Sequence, residues 1–257
     1  MYDKLKYGLI NALNWNSENK NLLLSKYFNN QSSIWSIFKE NNIYASNFQP
    51  KNLINTPLSN FLYEEKSTVP YISHEDLINA LSDSLSLENK YNFIYYPNID
   101  VSAHVFGVNS EEWINEIKIF EELVKKITEL SNKKSYTVIS ADHGLTNVPK
   151  ENRFHIDYYE NVNIYGDQRS VYINGSKKEI IEVFSKVPGQ LIDRSELNHL
   201  LPVPENDFIE SLYPDYCFLV EDKNIIYPHH LKTELAGYHG GLSTEEIKIP
   251  IIEISNF

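Results

Sequence analysis

Apolar residues recur along this chain in two alternating rhythms. From Ser110 to Leu130 they fall at three- and four-residue intervals: Trp113, Ile114, Ile117, Phe120, Leu123, Val124, Ile127 and Leu130. That spacing gathers side chains on one face of an α-helix. Ser110 followed by Glu111 and Glu112 marks its start, because a hydroxyl can accept from a free N–H and carboxylates oppose the positive end of the helix dipole. The same reasoning predicts a helix from Ser73 to about Leu87, with Asp76 in its first turn and Leu77, Ile78, Leu81 and Leu85 as its stripe. Shorter helices are predicted from Ser32 and Ser33 to Glu40 and from Lys177 to Lys186. Between them lie brief runs rich in Tyr, Val and Ile, read as strands: Ile43 to Phe48, Tyr91 to Tyr96, Ser135 to Ser140, Ser170 to Asn174, Tyr216 to Val220 and Ile249 to Ile254. Strand, helix, strand in that order predicts a right-handed parallel crossover. Residues 1–31 show weak periodicity and read as loop with short helical pieces. Residues 49–72, with Pro50, Pro57 and Pro70, read as a long connection. The sequence therefore predicts a single α/β domain over residues 1–257.

Composition narrows the possible roles. Lys+Arg 23 against Asp+Glu 35 leaves a net charge of −12. A nucleic-acid duplex is bound through basic patches, so a duplex is not an expected partner. Small phosphate esters remain open, because two bound divalent cations would supply four local positive charges. Cys217 is the single cysteine, which excludes an intrachain disulfide and a cysteine-rich zinc site. It lies within a predicted strand and reads as a small buried hydrophobe. No apolar run approaches bilayer length, and Met1 to Lys6 lacks the apolar core of a secretory signal. The expectation is a soluble, cytoplasmic protein without a membrane span, with one reservation about the true amino terminus.

Candidate chemistry concentrates in three segments that follow or border predicted strands. Asp100 and His104 are four residues apart, so one helical turn places both on one face. Taken alone, that pair also reads as a capping aspartate beside a surface histidine. Asp142 and His143 are adjacent and can converge only if the chain turns at once, which Gly144 permits; a plain strand-ending turn is the other reading. His239 lies between Gly237 and Gly240-Gly241, either a close approach to an ion or phosphate or a glycine-rich turn. Their shared position at strand ends, where open α/β sheets gather ligands, favours one site. His74, His155, His199, His229 and His230 read as structural or surface residues. Tyr158, Tyr159 and Tyr165 fit base stacking and loop packing equally well.

These segments carry a family resemblance. Tyr95 to Gly107, containing Asp100 and His104, resembles a metal-binding segment of the type I phosphodiesterase/nucleotide pyrophosphatase family of the alkaline phosphatase superfamily. Ser140-Ala141-Asp142-His143-Gly144 is similar to its Asp-His-Gly segment. Tyr238 to Glu246, followed by Ile249-Pro250, is similar to its closing histidine segment and last strand, and Gly166-Asp167-Gln168-Arg169 fits a pattern of microbial members. The resemblance implies a three-layer α/β/α sandwich with a mostly parallel central sheet. It also implies two divalent metal ions, Zn first with Mn or Mg as alternatives. Asp100, His104 and His239 would hold one ion, and Asp142 and His143 the other.

In the family a further aspartate and a Thr or Ser nucleophile complete the second ion. Neither is found here, and Thr56 and Ser59 follow no strand, so the chain reads as the carboxyl-terminal portion of the family domain with no catalytic nucleophile identified. Loss of the opening strand would expose apolar sheet edges. The implied function is hydrolysis of phosphodiester or nucleotide pyrophosphate bonds in small-molecule phosphate esters or nucleotides, impaired if the nucleophile segment is absent. The alternatives are a phosphomonoesterase or phosphomutase of the same superfamily, and a non-catalytic metal-binding remnant or split-protein half.

Overall fold

A computed structural model describes residues 2–3, 8–9, 33–63, 67–85, 90–131, 134–157, 159–204, 207, 210, 213–228 and 234–255. Along the chain run β1 (Tyr2–Asp3), β2 (Gly8–Leu9), α1 (Ile34–Glu40), β3 (Tyr44–Pro50), α2 (Pro57–Leu62), β4 (Thr68–Tyr71), α3 (His74–Leu85), β5 (Lys90–Ile94), α4 (Asn98–Phe106) and α5 (Glu111–Leu130). There follow β6 (Tyr136–Ser140), β7 (Thr146–Asn147), β8 (Arg153–Ile156), β9 (Val162–Gly166), β10 (Ser170–Gly175), α6 (Lys177–Phe184), β11 (Gly189–Asp193) and α7 (Arg194–Leu200). The described part closes with β12 (Tyr216–Val220), β13 (Ile225–Pro228), β14 (Gly237–Tyr238), α8 (Thr244–Ile247) and β15 (Ile251–Ser255). No helix among the described residues is long and apolar enough to cross a membrane.

Two compact units divide the chain, each built from three separate segments. One comprises Met1–Ile10, Asp100–Ile114 and Ser140–Ile251; the other comprises Asn11–Ile99, Asn115–Ile139 and Ile252–Phe257.

In the second unit β3 is the middle strand of a parallel three-stranded sheet, ordered β4-β3-β5. Phe48 of β3 is buried with Tyr71, with Leu77 and Leu81 of α3, and with Leu123 and Ile127 of α5. These helix residues are the apolar stripes predicted from periodicity, now closed over one sheet face. Trp35 of α1 is buried and meets Tyr63 and Tyr91 edge-on. β6 pairs with β15, and Tyr136, Val138, Ile251 and Ile252 on these strands are exposed.

In the first unit β11-β12-β10-β9 form an antiparallel sheet, covered by Ile180 and Phe184 of α6 over Val171, Ile173 and Phe218. Cys217 is buried beside Ile192 and Leu197, as read from its strand. The short pairs β1 with β2, β8 with β13 and β7 with β14 are also among this unit's described strands.

Two local expectations are revised. Residues 49–72 are not plain connection: α2 and β4 lie within them. The crossover expected between the strands at 91–96 and 135–140 does not join neighbours among the described strands, since β5 pairs with β3 and β6 with β15. Parallel pairing is found among β3, β4 and β5, and between β8 and β13, instead. Of residues 1–31, only β1 and β2 fall within the described residues.

Candidate metal centre

Asp100 and His104 stand one turn apart on α4, and the distance from Asp100 Oδ1 to His104 Nε2 is 3.5 Å. The end of this helix is docked on the chain that carries His239. Ala236 N donates to the His104 carbonyl at 2.7 Å. Gly237 lies so close that an added Cβ would sit 2.4 Å from the Ala103 carbonyl oxygen. His104 Nδ1 is 2.8 Å from the Gly237 carbonyl. A carbonyl only accepts, so Nδ1 donates to it and Nε2 is the nitrogen turned to Asp100. That docking brings His239 in from far along the sequence. One ligand atom each from Asp100, His104 and His239 lie within 4.8 Å of one another, the one such trio among the described residues.

Asp142 and His143 follow the end of β6. The His143 Nδ1 lies 3.1 Å from the Gly144 carbonyl and donates to it, which again leaves Nε2 as the nitrogen available to a ligand. That Nε2 is 3.6 Å from Asp142 Oδ2, whose side chain is 82% exposed. His143 and His239 stack with ring centroids 3.7 Å apart and 19° between planes, and His104 meets His239 at 5.2 Å and 61°. Burial holds the His239 imidazole below its ordinary pKa; His143 and His104 add to this, while Asp167 and Asp100 oppose it. The ring is thus held neutral, the form that ligates metal. Gly144 has a further role. A Cβ there would lie 2.0 Å from the Glu245 carbonyl oxygen, so close approach of two backbones demands glycine. The glycines around His239 also face the protein's own groups: Gly240, at φ +100, abuts Asp167, and Gly241 abuts Arg169 and Glu246.

The donor set fits a divalent cation. Asp100 Oδ1 is buried without a hydrogen-bond partner and faces His104 Nε2 at 3.5 Å. A carboxylate oxygen left without a donor is stabilised by a positive charge beside it. Carboxylate and imidazole are the donors that zinc-class ions take.

Other residues fall out differently. Asp167 was not among the candidate ligands, yet its Oδ2 lies 3.9 Å from His239 Nδ1. Arg169 and Glu246 form a buried ion pair beneath the His239 loop. The only local signals were an Asp and an Arg just before an apolar strand and a capping pattern at Ser243, neither of which names a partner. Thr56 and Ser59 bond to each other at the cap of α2. His74 bonds to Tyr96, which bonds to Glu116, and His155 stacks on Tyr227. Tyr165 is buried against Tyr172, which favours packing over base stacking. Tyr158, His229 and His230 lie outside the described residues.

The family model described as type I phosphodiesterase / nucleotide pyrophosphatase matches residues 3–215. The chain belongs to this family. His239 lies beyond the matched stretch, and it is the tertiary structure that sets it beside Asp100 and His104. None of the curated proteins compared matches the chain.

Among solved structures, murine ectonucleotide pyrophosphatase/phosphodiesterase 5, in an inactive form in complex with AMP, has a TM-score of 0.64 at 13% identity. That match covers 88% of this chain and 63% of the murine one. The human counterpart gives 0.63 at 12% identity, over 87% of this chain and 63% of its own. Phosphonoacetate hydrolase from Sinorhizobium meliloti, in complex with phosphonoacetate, gives 0.61 at 12% identity, over 86% of this chain and 68% of its own. These likenesses show that the chain shares the α/β fold of these structures. The chain spans less than two thirds of the length of the ectonucleotide structures.

Proposed function

We propose that this protein is a metal-dependent hydrolase of phosphodiester or nucleotide pyrophosphate bonds in small molecules. The observation that carries this reading is the trio of Asp100, His104 and His239 with His143 stacked against it, in a chain of this family. Asp100, His104 and His239 would hold one divalent ion, and Asp142 and His143 would contribute to a second; Zn suits the imidazoles best. Such ions would neutralise phosphoryl oxygens and lower the pKa of a bound hydroxyl. The chain's own part is to keep the ligand atoms ready. The Gly237 and Gly144 carbonyls hold Nδ1 of His104 and His143 and leave each Nε2 for a ligand, and burial favours the neutral form of His239. With a net charge of −12 the protein repels phosphate elsewhere, so the centre is where a phosphate ester would be admitted.

Calorimetric titration with Zn²⁺, followed by parallel assays on bis(p-nitrophenyl) phosphate and p-nitrophenyl phosphate, tests the proposal. Binding with preferential diester hydrolysis supports it, and preferential monoester hydrolysis favours the phosphatase alternative. Binding without hydrolysis favours a non-catalytic metal-binding module; Thr56 and Ser59, both engaged in a helix cap, fit that second reading. Absence of metal binding sinks both. We also read the two interleaved units as parts of one family domain, since the chain returns to each of them twice. A single calorimetric transition with equal van't Hoff and calorimetric enthalpies is the expected result.

A further inference from the structure

We propose that Glu246, gripped by Arg169, is the positioning residue that holds His143 and His239 in their stacked contact. Its role at a metal site rests on the centre described above. Glu246 is 2% exposed and Arg169 1%. Glutamate and arginine are almost never buried so completely unless paired. Arg169 Nε donates to Glu246 Oε1 at 2.6 Å and Nη2 to Oε2 at 2.8 Å, a two-pronged pair. The same oxygens take the main chain of the His239 loop: Gly241 N donates to Oε1 at 2.8 Å and Ser243 N to Oε2 at 3.3 Å.

The main chain of Glu246 holds the other ligand loop, since its carbonyl accepts from Gly144 N, the residue after His143, at 2.7 Å. One residue therefore registers both loops, by its side chain on one and its backbone on the other. Arg169 is fixed in turn by the carbonyls of Asn224 at 2.6 Å and Asp222 at 2.8 Å. Gly241 runs directly over the pair, where a Cβ would come within 2.7 Å of Arg169 Nη2 and 2.9 Å of Glu246 Oε2. A capping-box glutamate that served only its short helix would need neither the guanidinium nor the bond to Gly241.

The test uses the full chain with two readouts. In metal-free protein, proton NMR of the imidazole rings should show a cross-ring nuclear Overhauser contact between His143 and His239 in the wild type and lose it in E246Q. Titration with Co²⁺, followed by its visible d–d bands, should show binding weakened about 10- to 100-fold with altered bands, as expected when a ligand's support is removed. A folded E246Q that keeps the ring contact overturns the proposal, whatever the titration gives. If E246Q does not fold, R169K is read in the same way, because it keeps the carboxylate and its main-chain bonds but loses the fork. A wild type that binds no Co²⁺ would remove the metal-centre reading, and the ring contact alone would then decide the role of Glu246.

Discussion

At Asp100 and His104 a buried carboxylate oxygen without a hydrogen-bond partner faces Nε2 across 3.5 Å, while the Gly237 carbonyl holds Nδ1. Asp100→Asn keeps the shape and removes the charge, so it should weaken Zn²⁺ binding by calorimetry while changing the stability of the chelated protein by less than about 1.5 kcal/mol. Unchanged binding, or a loss of stability equal to the loss of binding, would contradict the assignment. Cys217 gives a simpler case. Burial pushes its thiol up to about 12, so a disulfide reagent at pH 8 should leave the native protein unlabelled and react fully in denaturant. Its burial was legible locally, because it sits in an apolar run. The neutral state of His239 was not, because it arises from rings supplied by distant segments.

Among the elements, α5 and α3 were legible because their apolar stripes repeat over several turns and leave one consistent face. α2 and β4 were hidden by prolines that ordinarily mark breaks. Pro57 instead stands at the start of α2, where no N–H is required, and Pro70 lies in β4 at the edge of its sheet. β7 and β14, two residues each, carry no periodic signal at all. Yet β14 decides the site, since Gly237 sits against the Ala103 carbonyl of α4. Gly237→Ala should push these two apart at a cost of about 1–3 kcal/mol, and metal affinity should fall with it. Leu77→Ala in the core beside α5 should cost about 2–5 kcal/mol while leaving metal affinity within threefold. Denaturant unfolding paired with Zn²⁺ titration of both variants distinguishes the two effects.

For the whole molecule, acid stability should depend on Glu246. Burial pushes its carboxyl up, but bonds from Arg169, Ser243 and Gly241 outweigh this and hold it below the ordinary value of 4.5. A depressed folded pKa contributes stability that is present above 4.5 and is lost as pH falls through the lower folded value. Urea unfolding between pH 6 and pH 3 should therefore show a steeper acid loss for the wild type than for E246Q, and identical profiles would refute the assignment. Zn²⁺ at about 100 times its Kd should add about 2.7 kcal/mol if it binds only the folded chain. By itself the sequence determined the α/β class, the principal helices and the types and strand-end positions of the candidate ligand residues. Each of those follows from local periodicity or from side-chain chemistry. Family resemblance had grouped Asp100 and His104 with His239, but only the tertiary structure decided how closely they meet, that Gly144 and Gly237 are needed for backbone contact, and that Arg169 clasps Glu246. Those relations join residues far apart in the chain, and close packing, rather than any repeating pattern, selects which of them touch.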